Sequence, residues 1–171
     1  MNCVVLYSSK TQNTKKLANA ISEALNIDIL DIATKPDVSK YELIFYGFWV
    51  DKGEIDDVAK SFLDSLNGKK LALFYTAGVE KESDYVNTMN EKFISFASSN
   101  NEVLGCFMSQ GAISDEIIEV SKQLALQFPD DPRYAITPKR EQRWKESKNH
   151  PNENDLKDIK EYAQKIRSKN E

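Results

Sequence analysis

Residues 3–17, Cys3-Val4-Val5-Leu6-Tyr7-Ser8-Ser9-Lys10-Thr11-Gln12-Asn13-Thr14-Lys15-Lys16-Leu17, decide the fold. The first five are apolar without alternation, the mark of a strand covered on both faces. Nine polar residues follow. Leu17, Ile21 and Leu25, four apart, then give a helix one buried stripe. Strand, polar turn and helix in that order form the first half of a parallel βαβ unit.

The same rhythm runs down the chain. Residues 27–32 make a short second strand of weaker pattern, suited to an edge, and 43–48 a stronger third. Val58, Phe62, Leu63 and Leu66 line a second helix that Asn67-Gly68 should end, since glycine accepts the left-handed backbone beyond a helix. Strands at 71–75 and 103–108 bracket a helix marked by Met89, Phe93, Phe96 and Ala97, and Ile117, Val120 and Leu124 mark another. The expectation is an α/β fold in one domain over 1–171, a doubly wound five-stranded parallel sheet between two helical layers. Residues 129–151 break the rhythm with Pro129, Pro132, Pro138 and Pro151 and carry Arg133, Lys139, Arg140, Arg143, Lys145 and Lys148. They read as an irregular basic excursion. Leu156, Ile159, Ala163 and Ile166 restore helical period, with Asn152 as N-cap and Asp155 supporting it.

Composition narrows the function. With 40% hydrophobic and 29% charged residues the 171-residue chain has a globular profile. It has no stretch of about 20 apolar residues to span a bilayer, and no signal-peptide pattern at its start, so a cytoplasmic setting is expected. A net charge of -4 disfavours nucleic acid and suits a basic protein surface. Cys3 and Cys106 lie in apolar runs and read as buried, inert thiols; the single histidine, His150, leaves a metal few ligands.

In an open parallel sheet, ligands bind beyond the carboxyl ends of the strands where strand order reverses. The turn after the first strand places Ser9, Thr11, Asn13 and Thr14 at a helix N-terminus, where they either receive a phosphate or merely cap the helix. After the third strand, Phe48, Trp49, Val50 and Asp51 stand between Gly47 and Gly53, an aromatic cluster expected at the surface. The turn after the fourth strand is Thr76-Ala77-Gly78-Val79, with Tyr85 beyond it. Tyr85 either stacks on a ligand or begins the apolar stripe of the next helix.

Residues 7–14, Tyr7-Ser8-Ser9-Lys10-Thr11-Gln12-Asn13-Thr14, resemble the phosphate signature of the flavodoxin family, Ser/Thr-x-Thr-Gly-Asn-Thr. Gln12 stands where the family usually has glycine. Either the backbone there tolerates a side chain or the phosphate cradle is altered. Residues 105–111 and His150-Pro151-Asn152-Glu153 are similar to the short flavodoxins of anaerobic bacteria, a subgroup associated with bilirubin reductase. The resemblance implies the strand order 2-1-3-4-5 and FMN as cofactor. It implies phosphate contacts from Ser9, Lys10, Thr11, Gln12, Asn13 and Thr14, and ring contacts from Phe48, Trp49, Val50, Asp51, Thr76, Ala77, Gly78 and Tyr85. The implied activity is electron transfer between redox partner proteins, a reductase donor and an acceptor enzyme. Asp51, Glu54, Asp56 and Asp57 would disfavour negative charge on a bound ring, with Lys52 opposing them, so a low reduction potential is expected. Two other readings stand beside this one: an FMN-dependent reductase of a small molecule, and a flavin-free interaction module whose contact surface surrounds Trp144.

Overall fold

Side-chain alternation along the strands sets up two apolar layers, one on each face of a parallel sheet. The computed structural model describes residues 1–170. In chain order run β1 (Cys3–Tyr7), α1 (Asn13–Leu25), β2 (Ile29–Asp31), β3 (Leu43–Asp51), β4 (Glu54–Ile55), α2 (Asp57–Ser65), β5 (Lys70–Ala77), α3 (Asp84–Ala97), β6 (Glu102–Gln110), α4 (Asp115–Gln127), α5 (Pro138–Ser147) and α6 (Glu153–Asn170). The parallel path is β2-β1-β3-β5-β6, which is the expected 2-1-3-4-5 once the short β4 is set aside. β4 turns back antiparallel on the end of β3, pairing Val50 with Ile55 and Asp51 with Glu54.

One face of the sheet presents Val4, Leu6, Ile44, Tyr46, Phe48, Leu73 and Tyr75 to Ala59 and Leu63 of α2 and to Val86, Met89 and Phe93 of α3. The other presents Val5, Tyr7, Phe45, Ala72 and Phe74 to Leu17 and Ile21 of α1 and to Ile159 and Ala163 of α6. Leu17 and Ile21, the stripe read from the four-residue spacing, are wholly enclosed. Each such side chain contributes about 1.5–3 kcal/mol over leaving it in water. At the sheet centre, Gly47 lies so close to Phe74 that a Cβ there would overlap the ring. α6 starts as expected: Asn152 Oδ1 accepts the N–H groups of Asn154 and Asp155 at 2.9 and 3.1 Å, and Asp155 Oδ2 accepts the Asn152 N–H at 2.8 Å.

Two expectations fail. The excursion at 129–151 is not irregular throughout, because Pro138 opens the ten-residue α5 from its first turn, where proline lacks only an N–H that would be unpaired anyway. Thr137 caps it by accepting the Arg140 N–H at 3.2 Å. The turn after the third strand is also not a loop. β3 continues to Asp51 and closes a two-residue hairpin at Lys52-Gly53, both at positive φ as a I′-type turn requires.

Candidate cofactor-binding site

The site begins with the backbone of Gln12. It adopts φ 69° and ψ -3°, the left-handed conformation, immediately ahead of α1. This conformation explains why glycine suits the position. It bends the turn so that Ser9, Lys10, Thr11, Asn13 and Thr14 all line one cleft, while the Gln12 side chain is exposed and outside it. No side chain caps α1 from Gln12, which leaves first-turn N–H groups without an N-cap acceptor. The turn is braced from within. Ser9 Oγ accepts the Lys15 N–H at 3.4 Å, and Asn13 Nδ2 donates to Thr11 Oγ1 at 3.1 Å and to the Ala112 carbonyl at 3.0 Å. Thr14 Oγ1 lies 2.9 Å from Thr76 Oγ1, joining the turn to the end of β5.

The second wall comes from the β3–β4 hairpin. Alternation turns Phe48 inward, where it is fully enclosed and stacks on Tyr75 at 5.4 Å. The expected ring contact from Phe48 is therefore corrected: its side chain is core. Trp49, Val50 and Asp51 do line the cleft, joined by Lys52. Lys10 Nζ sits 5.8 Å from the Trp49 ring, linking this wall to the first turn. Asp56, expected among the acids around the ring, is buried beneath the hairpin. Its carboxylate caps α2 through the Ala59 N–H at 3.0 Å and accepts the Ser8 hydroxyl at 2.8 Å and the Trp49 N–H at 3.3 Å. Burial, with the Asp56 charge adding to it, pushes the neighbouring Tyr46 hydroxyl far above its ordinary pKa.

Thr76, Ala77 and Gly78 form the third wall together with Val79. Tyr85 does not: it is half-exposed on α3, and its hydroxyl stands over Gly53 at the hairpin tip. Beside it Lys92 pairs with Glu54 and donates to the Gly53 carbonyl at 3.3 Å. That ion pair holds the Glu54 carboxyl below its usual range.

A fourth wall was not foreseen. Residues 111–114, Ile117 and Val120 of α4, and Arg140, Arg143 and Trp144 of α5 complete the cleft. α5 is fastened there by Ser147, whose Oγ accepts the Ile113 N–H at 3.1 Å, and by the His150 carbonyl, which accepts the Ala112 N–H at 2.9 Å. The only signal for it in the sequence was the spacing of Arg140, Arg143, Trp144 and Ser147, one face of a helix.

The cleft has a volume of 490 Å³, within the range of about 300–1,000 Å³ usual for small-molecule sites. It carries Lys10, Lys52, Arg140 and Arg143 against Asp51 and Glu116, four cations to two carboxylates, on a chain of net charge -4. The basis for the low reduction potential is thereby lost, since of the four acids invoked only Asp51 lines the cleft. Hydroxyl and amide donors at one turn, a tryptophan beside it and a surplus of positive charge suit an anionic ester carrying a flat apolar ring. FMN is such a molecule. Among the described residues no helix is long and apolar enough to cross a membrane.

Known proteins share this fold. The chain is 33% identical to a flavodoxin-like domain-containing protein, BilS, of Clostridioides difficile, over 97% of this chain and 96% of that one. Oxidised flavodoxin 1 of Bacillus cereus shares the fold with a TM-score of 0.52 at 21% identity, covering 75% of this chain and 97% of that one. A flavoprotein of Lactobacillus acidophilus, solved in complex with FMN, matches with a TM-score of 0.50 at 20% identity, covering 63% of this chain and 92% of that one. The family model described as a flavodoxin domain matches residues 4–164, and the chain belongs to that family.

Proposed function

We propose that this protein holds one FMN in the cleft and passes electrons between redox partner proteins, a reductase donor and an acceptor enzyme, in the cytoplasm. The observation that carries the reading is the left-handed turn at Gln12, which brings Ser9, Thr11, Asn13 and Thr14 to one end of the cleft. Neutral donors converging at a helix N-terminus hold a phosphate without needing a matched cation for each charge. Trp49 then offers its face to the ring, and the small Ala77 and Gly78 let backbone approach the ring edge. FMN when bound supplies one- and two-electron transfer, and the chain contributes position, charge and exclusion of water.

A visible spectrum of freshly purified protein, followed by release and identification of the flavin, tests the reading directly. Yellow protein yielding FMN is expected; a colourless protein that gains no flavin absorbance on adding FMN would refute it. Trp49→Leu should weaken FMN binding about 2- to 12-fold, since a stacked aromatic pair contributes about 0.5–1.5 kcal/mol beyond its buried area.

A specific observation favours a second reading, reduction of a small molecule by the protein itself. α4 and α5 raise a wall over the cleft, with Ile117 and Val120 about half-exposed toward it, as an enclosed substrate site would need. Sustained NAD(P)H turnover by the purified protein would select it; absence of turnover together with reduction by a reductase protein selects the carrier.

A further inference from the structure

We infer that Arg143, supplied by α5, grips the phosphate ester of the bound flavin, so that the excursion after β6 is part of the anion site. This rests on the FMN reading above. Arg143 lines the cleft and its Nε is buried with no hydrogen-bond partner among the described residues. A buried donor without an acceptor carries a penalty, so the Arg143 side chain gains by turning this group onto an oxyanion held in the cleft. The other cleft arginine of α5 is already committed: Arg140 donates to the carbonyls of Ala135 at 2.9 Å and Arg133 at 3.1 Å, closing the loop ahead of the helix. Arg143 is left to meet a ligand.

Its position relative to the phosphate turn follows from a chain of hydrogen bonds. Asn13 holds the Ala112 carbonyl, the Ala112 N–H is held by the His150 carbonyl, and the next amide, that of Ile113, is held by Ser147. The C-terminal end of α5 is therefore bound to the same short turn as the start of α1. Arg143 lies one helical turn before Ser147 and on the same face, beside the buried Trp144 that fixes the helix against the body. A planar guanidinium offers two parallel N–H groups to phosphate oxygens, a geometry no lysine reproduces. The neutral donors of the first turn would hold the ester from one side and Arg143 from the other.

The test compares FMN with riboflavin, which lacks the phosphate, by fluorescence titration of wild type, Arg143→Gln and Arg143→Lys. Apo-protein circular dichroism and melting confirm that each variant is folded. Arg143→Gln should raise the Kd for FMN about 10- to 100-fold and leave that for riboflavin unchanged, with Arg143→Lys between. Millimolar inorganic phosphate should compete with FMN in the wild type and compete more weakly in Arg143→Gln. Unchanged FMN affinity overturns the inference while leaving flavin binding intact, and so does an equal loss for FMN and riboflavin. A wild type that binds neither flavin overturns the FMN reading and this inference with it.

Discussion

Replacing Gln12 with glycine should stabilise the apoprotein, and the amount follows from one backbone angle. Gln12 is held at φ 69°, where a residue with a Cβ is penalised by roughly 1–2 kcal/mol and glycine is not. Glycine also widens the unfolded ensemble, which offsets about 0.4–1 kcal/mol of that relief. The Gln12 side chain is exposed and makes no capping hydrogen bond, so nothing else is lost with it. The net gain is about 0.5–1 kcal/mol, or ~1–4 °C in Tm for a chain of this size. Thermal unfolding followed by circular dichroism measures it. Gln12→Ala separates backbone from side chain, because alanine keeps the left-handed strain while removing the amide; it should melt no higher than the wild type. FMN affinity of Gln12→Gly should stay within about twofold, since the residue does not line the cleft. A glycine variant that melts at or below the wild type refutes the reasoning, and so does an alanine variant that gains as much as glycine.

Asp56→Ala should destabilise the protein by about 2–4 kcal/mol in a denaturant titration, because it removes the cap of α2 and leaves the Ser8 hydroxyl and the Trp49 and Ala59 amides without their buried acceptor; a loss under 1 kcal/mol would contradict that role. Burial pushes the Cys106 thiol up to about 12, so the native protein should keep it neutral where an unfolded thiol, near 8.5, ionises. The stability this gives is whole below about pH 8.5 and is lost as pH rises toward 12. Thiol labelling at pH 9 in a Cys3→Ser background should therefore be slower in the native protein than in denaturant, and equal rates would contradict it.

The parts of the fold that bury apolar residues were legible because their periods are clean. Cys3 to Tyr7 and the Leu17–Ile21 spacing led directly to β1 and α1, and a parallel sheet followed from repetition of that unit, whereas the order of its strands came from the family resemblance. Phe48 was misplaced because an aromatic run before a glycine reads as a loop. The alternation Phe48, Trp49, Val50 and the Asp51-Lys52-Gly53-Glu54 turn were the evidence for a continuing strand. α5 escaped notice because its one buried apolar residue is Trp144 and its other buried residue is the polar Ser147, while charged and polar side chains fill the rest of its surface. Prolines around it suggested interruption, although Pro138 starts the helix. The turn at 8–14 was found by its donors, whereas its left-handed geometry could not be read from Gln12, a residue type that rarely adopts it.

Lys92 latches the hairpin tip to α3 through an ion pair with Glu54 that is open to water on both sides, next to the Tyr85 hydroxyl over Gly53. Attractions of that kind fade over about 8 Å in physiological electrolyte and faster in brine. Ionic strength thus reaches the Trp49 wall from outside, in addition to screening the charged side chains that line the cleft. The hairpin that carries Trp49 is therefore tethered at its tip by a weak, solvent-exposed contact, which brine loosens first.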